Sequence, residues 1–197
     1  MIVLFVAIIG ISILGFYLPK VKELLMINTQ YQGQYWRWIT HGFVHANWSH
    51  LFFNMWVLWQ FMGHYPAGVE FRLFSPLALA YGTFFLGVLM GNLSSLKKPR
   101  GYRALGASGG VSAILMQYIL LFPTSKLYLF FIPIGIPAIL FGALYVWYEY
   151  DQHKKGKAGI DHAAHLYGMM GGAMLTVVVV PHVLENMLNE LILLVWG

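Results

Sequence analysis

Apolar residues fall into six runs, 1–18, 50–65, 73–93, 106–122, 127–148 and 161–180, and most of these runs are apolar on every side. A helix without a polar face needs lipid or a large core around it. About 20 residues at 1.5 Å each cross a hydrocarbon layer of about 30 Å, so each run is read as a membrane span. The first has no basic segment before it, and Gly15-Phe16-Tyr17-Leu18-Pro19 is a poor cleavage site, so it is kept as a span rather than a signal peptide.

The stretches between the runs differ in kind. Lys20 to Ser49 is too polar to cross but carries Tyr31, Tyr35, Trp36, Trp38, Phe43 and Trp48, residues that favour the headgroup level. It is read as a structured interfacial loop. Glu70 and Arg72 lie in the short loop before the third span. The third span contains Gly82, Gly87 and Gly91, and the spacing of the last two permits close helix packing in lipid. A basic loop, 97–103, leads into Leu105-Gly106-Ala107-Ser108-Gly109-Gly110. It is expected to dip into the bundle, which irregular backbone tolerates only against protein or a wet cavity. Pro133 and Pro137 should bend the fifth span. A polar loop, Glu149 to Ile160, then precedes the sixth span. The tail, 182–197, places Leu184, Met187, Leu188 and Leu191 on one face and reads as an amphipathic helix at the interface.

Composition agrees. The chain is 59% hydrophobic and 10% charged, against roughly a quarter charged in soluble domains. The expected fold is therefore an all-α membrane protein, with the lipid bilayer as its main partner. There is no cysteine, which removes disulfide and thiolate chemistry. The net charge of +5 is spread over loops, and no nucleic-acid motif accompanies it.

Polar groups inside spans are costly and by default mark function. Ser108 sits where a helix begins, and the unpaired N–H groups of a first turn favour negative charge there. His165 shares a helix face with Gly168 and Gly172, three and seven residues on. That stripe lets another backbone approach, and the turn at Gly106, Gly109 and Gly110 is the natural partner. A histidine over a serine is the arrangement of a base-activated nucleophile; a histidine bonded to a carbonyl is the structural alternative. His50 and Asn54, four apart, either stabilise an oxyanion or join neighbouring helices. A metal site at His41, His45 and His50 is weakened by the lack of a nearby Asp, Glu or Cys.

Together His41-Gly-Phe-Val-His45, His50-Leu-Phe-Phe-Asn54, Gly106-Ala-Ser108-Gly109 and Ala164-His165-Leu-Tyr-Gly168 resemble the rhomboid intramembrane serine proteases. Trp36-Arg37 and Glu70-Phe-Arg72 are similar to two further family motifs, so the resemblance runs from about Trp36 to Gly172. It implies a six-helix rhomboid-like bundle over 1–181, with Ser108 as nucleophile and His165 as general base and acid. His50, Asn54 and the Ser108 N–H would form the oxyanion hole. By their spacing, Gly106, Gly109, Gly168 and Gly172 would support the site, with Asp161 a further candidate. The resemblance implies a dyad without an obligatory carboxylate, no cofactor and no metal. The substrates it implies are transmembrane proteins, and the membrane that of the cell surface. The loop near Glu149–Ile160 and the fifth span would act as a lid.

Two departures stand out. Many rhomboids place an aromatic residue four positions after the serine, over the imidazole, and here that residue is Ser112. Asp161 could share in orienting His165, although capping the sixth helix is its simpler role. Ten of the 12 Lys and Arg residues fall on the Ser108 side, which the positive-inside rule places in the cytoplasm; rhomboids usually open to the other side. A rhomboid-like protein that binds transmembrane helices without cleaving them is the alternative reading, and a small metal or solute carrier a third.

Overall fold

Proline, asparagine and aspartate mark where the helices start. The computed structural model describes residues 1–31, 33–65, 75–128, 134–156 and 159–196. Helix α1 (Ile2–Tyr17) turns at Leu18 into α2 (Pro19–Leu25), which has Pro19 at its first position. A short strand β1 (Ile27–Asn28), helix α3 (Arg37–Thr40) and a 3₁₀ turn (His41–Phe43) complete the interfacial loop. Buried Arg37 ties that loop together, with Nε donating to Gln34 Oε1 and Nη1 to the carbonyls of Glu23 and Met26, each at 2.6 Å.

Helix α4 (Trp48–Phe61) starts two residues before its expected bound because Asn47 caps it, accepting from the His50 N–H at 2.8 Å. Ser75 caps α5 (Pro76–Asn92), which continues as a 3₁₀ turn to Lys97. Strand β2 (Arg103–Ala104) pairs antiparallel with β1 and leads to α6 (Ser108–Leu121). Glu70, Arg72 and Pro133 lie outside the described residues.

The fifth span departs from expectation. Lys126–Leu127 (β3) pairs with Ile136–Pro137 (β4), and α7 runs over Ala138–Lys155, not 127–148. Pro137 sits at the N-cap, and Gly156, in a left-handed conformation at φ 64°, ends the helix. Residues 149–155 are thus helical rather than the start of a loop. Helices α8 (His162–Val179) and α9 (Val183–Trp196) follow. The tail is anchored where Thr124 Oγ1 donates to Glu190 Oε2 at 2.8 Å.

Among the described residues, two helical stretches, 76–97 and 162–179, are long and apolar enough to cross a bilayer on their own; α1 and α6 are apolar but shorter. Helix α6 is the centre. Every residue from Gly109 to Leu115 is buried, and glycines bring its neighbours in. A methyl group on Gly168 would overlap the Gly109 carbonyl, one on Gly172 the Ala113 carbonyl, and one on Gly87 the side chain of Ala113. Gly91 lies against Ala164 O and Gly109. Helices α5, α6 and α8 therefore meet backbone to backbone, and dispersion between such surfaces replaces the hydrophobic effect that lipid cannot supply.

Gly172→Ala must push α6 and α8 apart, at a cost on the order of 1–3 kcal/mol. Gly10, with nothing within 4 Å of its added methyl, is the control. Thermal unfolding in detergent should show a lowered midpoint for Gly172→Ala and an unchanged or raised one for Gly10→Ala; equal midpoints would contradict the packing.

Candidate active site

The loop before Ser108 is held from below by two histidines. Gly106 N–H donates to His41 O at 2.9 Å, and Ala107 N–H to His45 Nε2 at 3.3 Å. His45 Nε2 therefore carries no proton, and Nδ1–H faces Ser12 Oγ at 2.8 Å, while that hydroxyl donates to Phe43 O at 2.9 Å. His41 Nδ1–H donates to Arg37 O at 2.8 Å. Ala107 is fully buried, so the loop does enter the protein, with the N–H groups of Gly106 and Ala107 paired. Both histidines act as braces, and neither belongs to a metal cluster among the described residues.

Gly106 has φ +118°, and a Cβ there would come within 2.6 Å of the His50 ring. No other residue type fits that conformation and that contact. Helix α6 has no side-chain cap, and its first helical bond runs from Val111 N–H to Ala107 O. The N–H groups of Ser108, Gly109 and Gly110 thus precede the first helical bond and concentrate positive potential at the serine.

A cavity of about 560 Å³ opens here, and Ser108, His165, His50 and Asn54 all line it. Asn54 donates one N–H to His50 O at 2.9 Å, which leaves its second N–H. Asn92, Ser94 and Ser95 make another part of the wall polar. Polar groups from several segments thus converge in a cavity whose walls are otherwise largely apolar.

The residue that sequence reasoning missed is Glu149. Its buried carboxylate comes from α7 and reaches two histidines of α8. Oε2 lies 2.6 Å from His162 Nδ1, and Oε1 lies 3.0 Å from His165 Nδ1. The second contact is an ion-pair approach lying off the ideal hydrogen-bond line. One turn earlier on α7, the Tyr145 hydroxyl lies 3.3 Å from Ser112 Oγ and faces Glu149 as well. Ser112 thus meets the hydroxyl of an aromatic residue carried by α7. The three ligand atoms of Glu149, His162 and His165 lie within 4.8 Å of one another, close enough for a metal.

Asp161 is placed elsewhere. It caps α8 by accepting from Ala164 N–H at 3.2 Å, and it accepts from Ser94 Oγ at 2.6 Å and Tyr102 OH at 2.7 Å. Burial opposes its charge, but these three donors outweigh it and hold the carboxyl below its usual range. Its part is to fasten the loops at 94 and 102 to the head of α8, and the carboxylate beside His165 is that of Glu149.

Burial lowers His41 to about 4. Burial, then the nearby His50, lowers His45 to about 3. An unfolded chain protonates these groups near 6.5 and the folded chain does not, so stability is full above that pH and falls as pH drops. Each histidine should remove about 1.4 kcal/mol per pH unit below 6.5, down to its folded value. Thermal midpoints from pH 7.5 to 5 should fall for the parent and fall less steeply for His45→Gln; parallel curves would contradict the neutral-brace assignment.

Comparison with known proteins places this geometry in a family. The Rhomboid domain matches residues 32–182. "RHOMBOID-like protein 12, mitochondrial" of Arabidopsis thaliana is 34% identical over 144 residues, 66% of this chain and 42% of that protein. "Rhomboid protein 1, mitochondrial" of Saccharomyces cerevisiae is 28% identical over 182 residues, 84% of this chain and 49% of its own length. The chain spans about half the length of these relatives or less. Their mitochondrial names fit poorly with the expected cell-surface membrane, while a place within a membrane stands. With the domain match extending over most of its length, the chain belongs to the rhomboid family of membrane-embedded proteins.

Proposed function

We propose that this chain is an intramembrane serine protease with six membrane-crossing helices, α1 and α4–α8. It would hydrolyse peptide bonds in or near the transmembrane segments of other membrane proteins. The observation that carries this reading is the single cavity lined by Ser108, His165, His50 and Asn54, with a carboxylate 3.0 Å behind His165.

Ser108 Oγ attacks the scissile carbonyl carbon as its proton passes to His165 Nε2. The carbonyl oxygen becomes an oxyanion facing the Ser108 N–H, the Asn54 amide and the His50 ring, each donor worth on the order of 3 kcal/mol. His165 then gives its proton to the leaving amine, the C–N bond breaks, and an ester to Ser108 remains. Water attacks that ester while His165 takes its proton and returns it to Ser108. Glu149 neutralises the imidazolium that forms twice per cycle, and its Nδ1 contact turns Nε2 to the serine. The dyad implied by resemblance thus becomes a triad whose third member lies on another helix. Ser112 is the feature that favours the alternative, a helix-binding protein without activity; its hydroxyl meets that of Tyr145 at 3.3 Å.

Purified protein should cleave a single-span substrate in liposomes. Ser108→Ala and His165→Ala should abolish cleavage. Glu149→Gln should slow kcat on the order of 10²-fold or more, as expected when the carboxylate behind a catalytic histidine loses its charge. Ser108→Ala cleaving at the parent rate would end the proposal.

A further inference from the structure

The Glu149 carboxylate is shared unequally. Its contact with His162 is the shorter, at 2.6 Å. The His165 contact, at 3.0 Å, lies off the hydrogen-bond line. What fixes the carboxylate in place is therefore His162, not the catalytic imidazole. Both members of the short bond have side chains only 4% exposed. A buried carboxylate stripped of one partner is costly, so Oε2 needs this donor as much as Oε1 needs His165.

His162 is also restricted in the proton it can carry. Its Nε2 is buried with no hydrogen-bond partner, and the ring packs edge-on against Tyr148 with centroids 6.1 Å apart. A proton on Nε2 would be an unpaired buried donor. The neutral ring with its proton on Nδ1, donating to Glu149, avoids that. The groups facing the carboxylate are then His162 and His165 from α8 and Tyr145 from α7. Spacing of three puts both histidines on one face of α8.

We infer that His162 is a positioning residue, which pins Glu149 so that the carboxylate's other oxygen meets His165. This rests on the protease reading, since His162 acts only through Glu149 and His165. It extends the triad to Ser108, His165, Glu149 and His162, drawn from three helices.

Three variants test it, each checked for folding by its elution and circular dichroism. His162→Phe keeps a ring but loses the donor. His162→Asn places an amide N–H where Nδ1–H stood. His162→Phe should lower kcat about tenfold or more, the scale for losing a partner behind a histidine, with KM unchanged. His162→Asn should recover most of it. In a Glu149→Gln background, His162→Phe should add little, because both changes break one chain of contacts. A purely structural role predicts additive losses and no rescue by Asn, and either result would overturn the inference.

A readout free of activity separates this from the protease reading. In ¹⁵N-histidine-labelled protein, the His165 Nδ1 signal should carry the shift that a carboxylate 3.0 Å away imposes. The shift should persist in His162→Asn and be lost in His162→Phe. Failure of the parent to cleave, with this pattern intact, would count against the protease alone. An unchanged signal in folded His162→Phe would overturn the role of His162, whatever the activity.

Discussion

Everything at the site depends on two backbones touching. Gly168 of α8 lies against the carbonyl of Gly109, the residue after Ser108, and Gly172 repeats the contact one turn on at Ala113. No side chain separates the helices, so three residues before Gly168 the imidazole of His165 and the serine come to line one cavity. In lipid such contacts are held by dispersion and by the absence of Cβ atoms. A single added methyl would therefore disturb packing and alignment together. Gly87 and Gly91 seat α5 on the same helix, and α6 is enclosed from two sides.

The second constraint is electrical. An irregular loop and several polar groups must sit deep in an apolar molecule, and many of them are paired locally. Burial keeps His41 and His45 neutral; the His41 carbonyl fastens Gly106 and the His45 ring fastens Ala107. Asp161 gathers three donors from separate segments. Thr83 accepts from Gln117 at 2.8 Å between α5 and α6. Against that background, the start of α6 and the remaining Asn54 donor are conspicuous, because Ser108, Gly109 and Asn54 line the cavity. Groups left unpaired at such depth suit charge that forms only during a reaction.

Much of this was legible in the sequence because the signals are local. The glycines at 168 and 172 follow His165 at helical spacing, and Ser108 stands between glycines at a helix start. The position of Glu149 was not. It ends an apolar run and opens the polar string Tyr150-Asp151-Gln152-His153-Lys154-Lys155, which reads as a loop. The helix instead continues, helped by the Asp151–Lys155 pair at 2.6 Å and stopped by Gly156. Gly156 was the available signal, since a glycine after lysines marks a helix C-terminus. The β3–β4 hairpin was hidden for the opposite reason: its apolar residues mimic a span. Pro-Ile-Gly-Ile-Pro at 133–137 is a run of breakers that argued for a later start. The Glu149–His165 contact joins residues 16 apart on different helices, and no single-helix periodicity reports it.

The most direct test of the account is a structure of the protein after reaction with a fluorophosphonate. The account predicts one adduct, on Ser108 Oγ, with the phosphonyl oxygen held by the Ser108 N–H and Asn54 and with His165 still backed by Glu149. An adduct on another residue, or one on Ser108 with His165 turned out of the cavity, would contradict it.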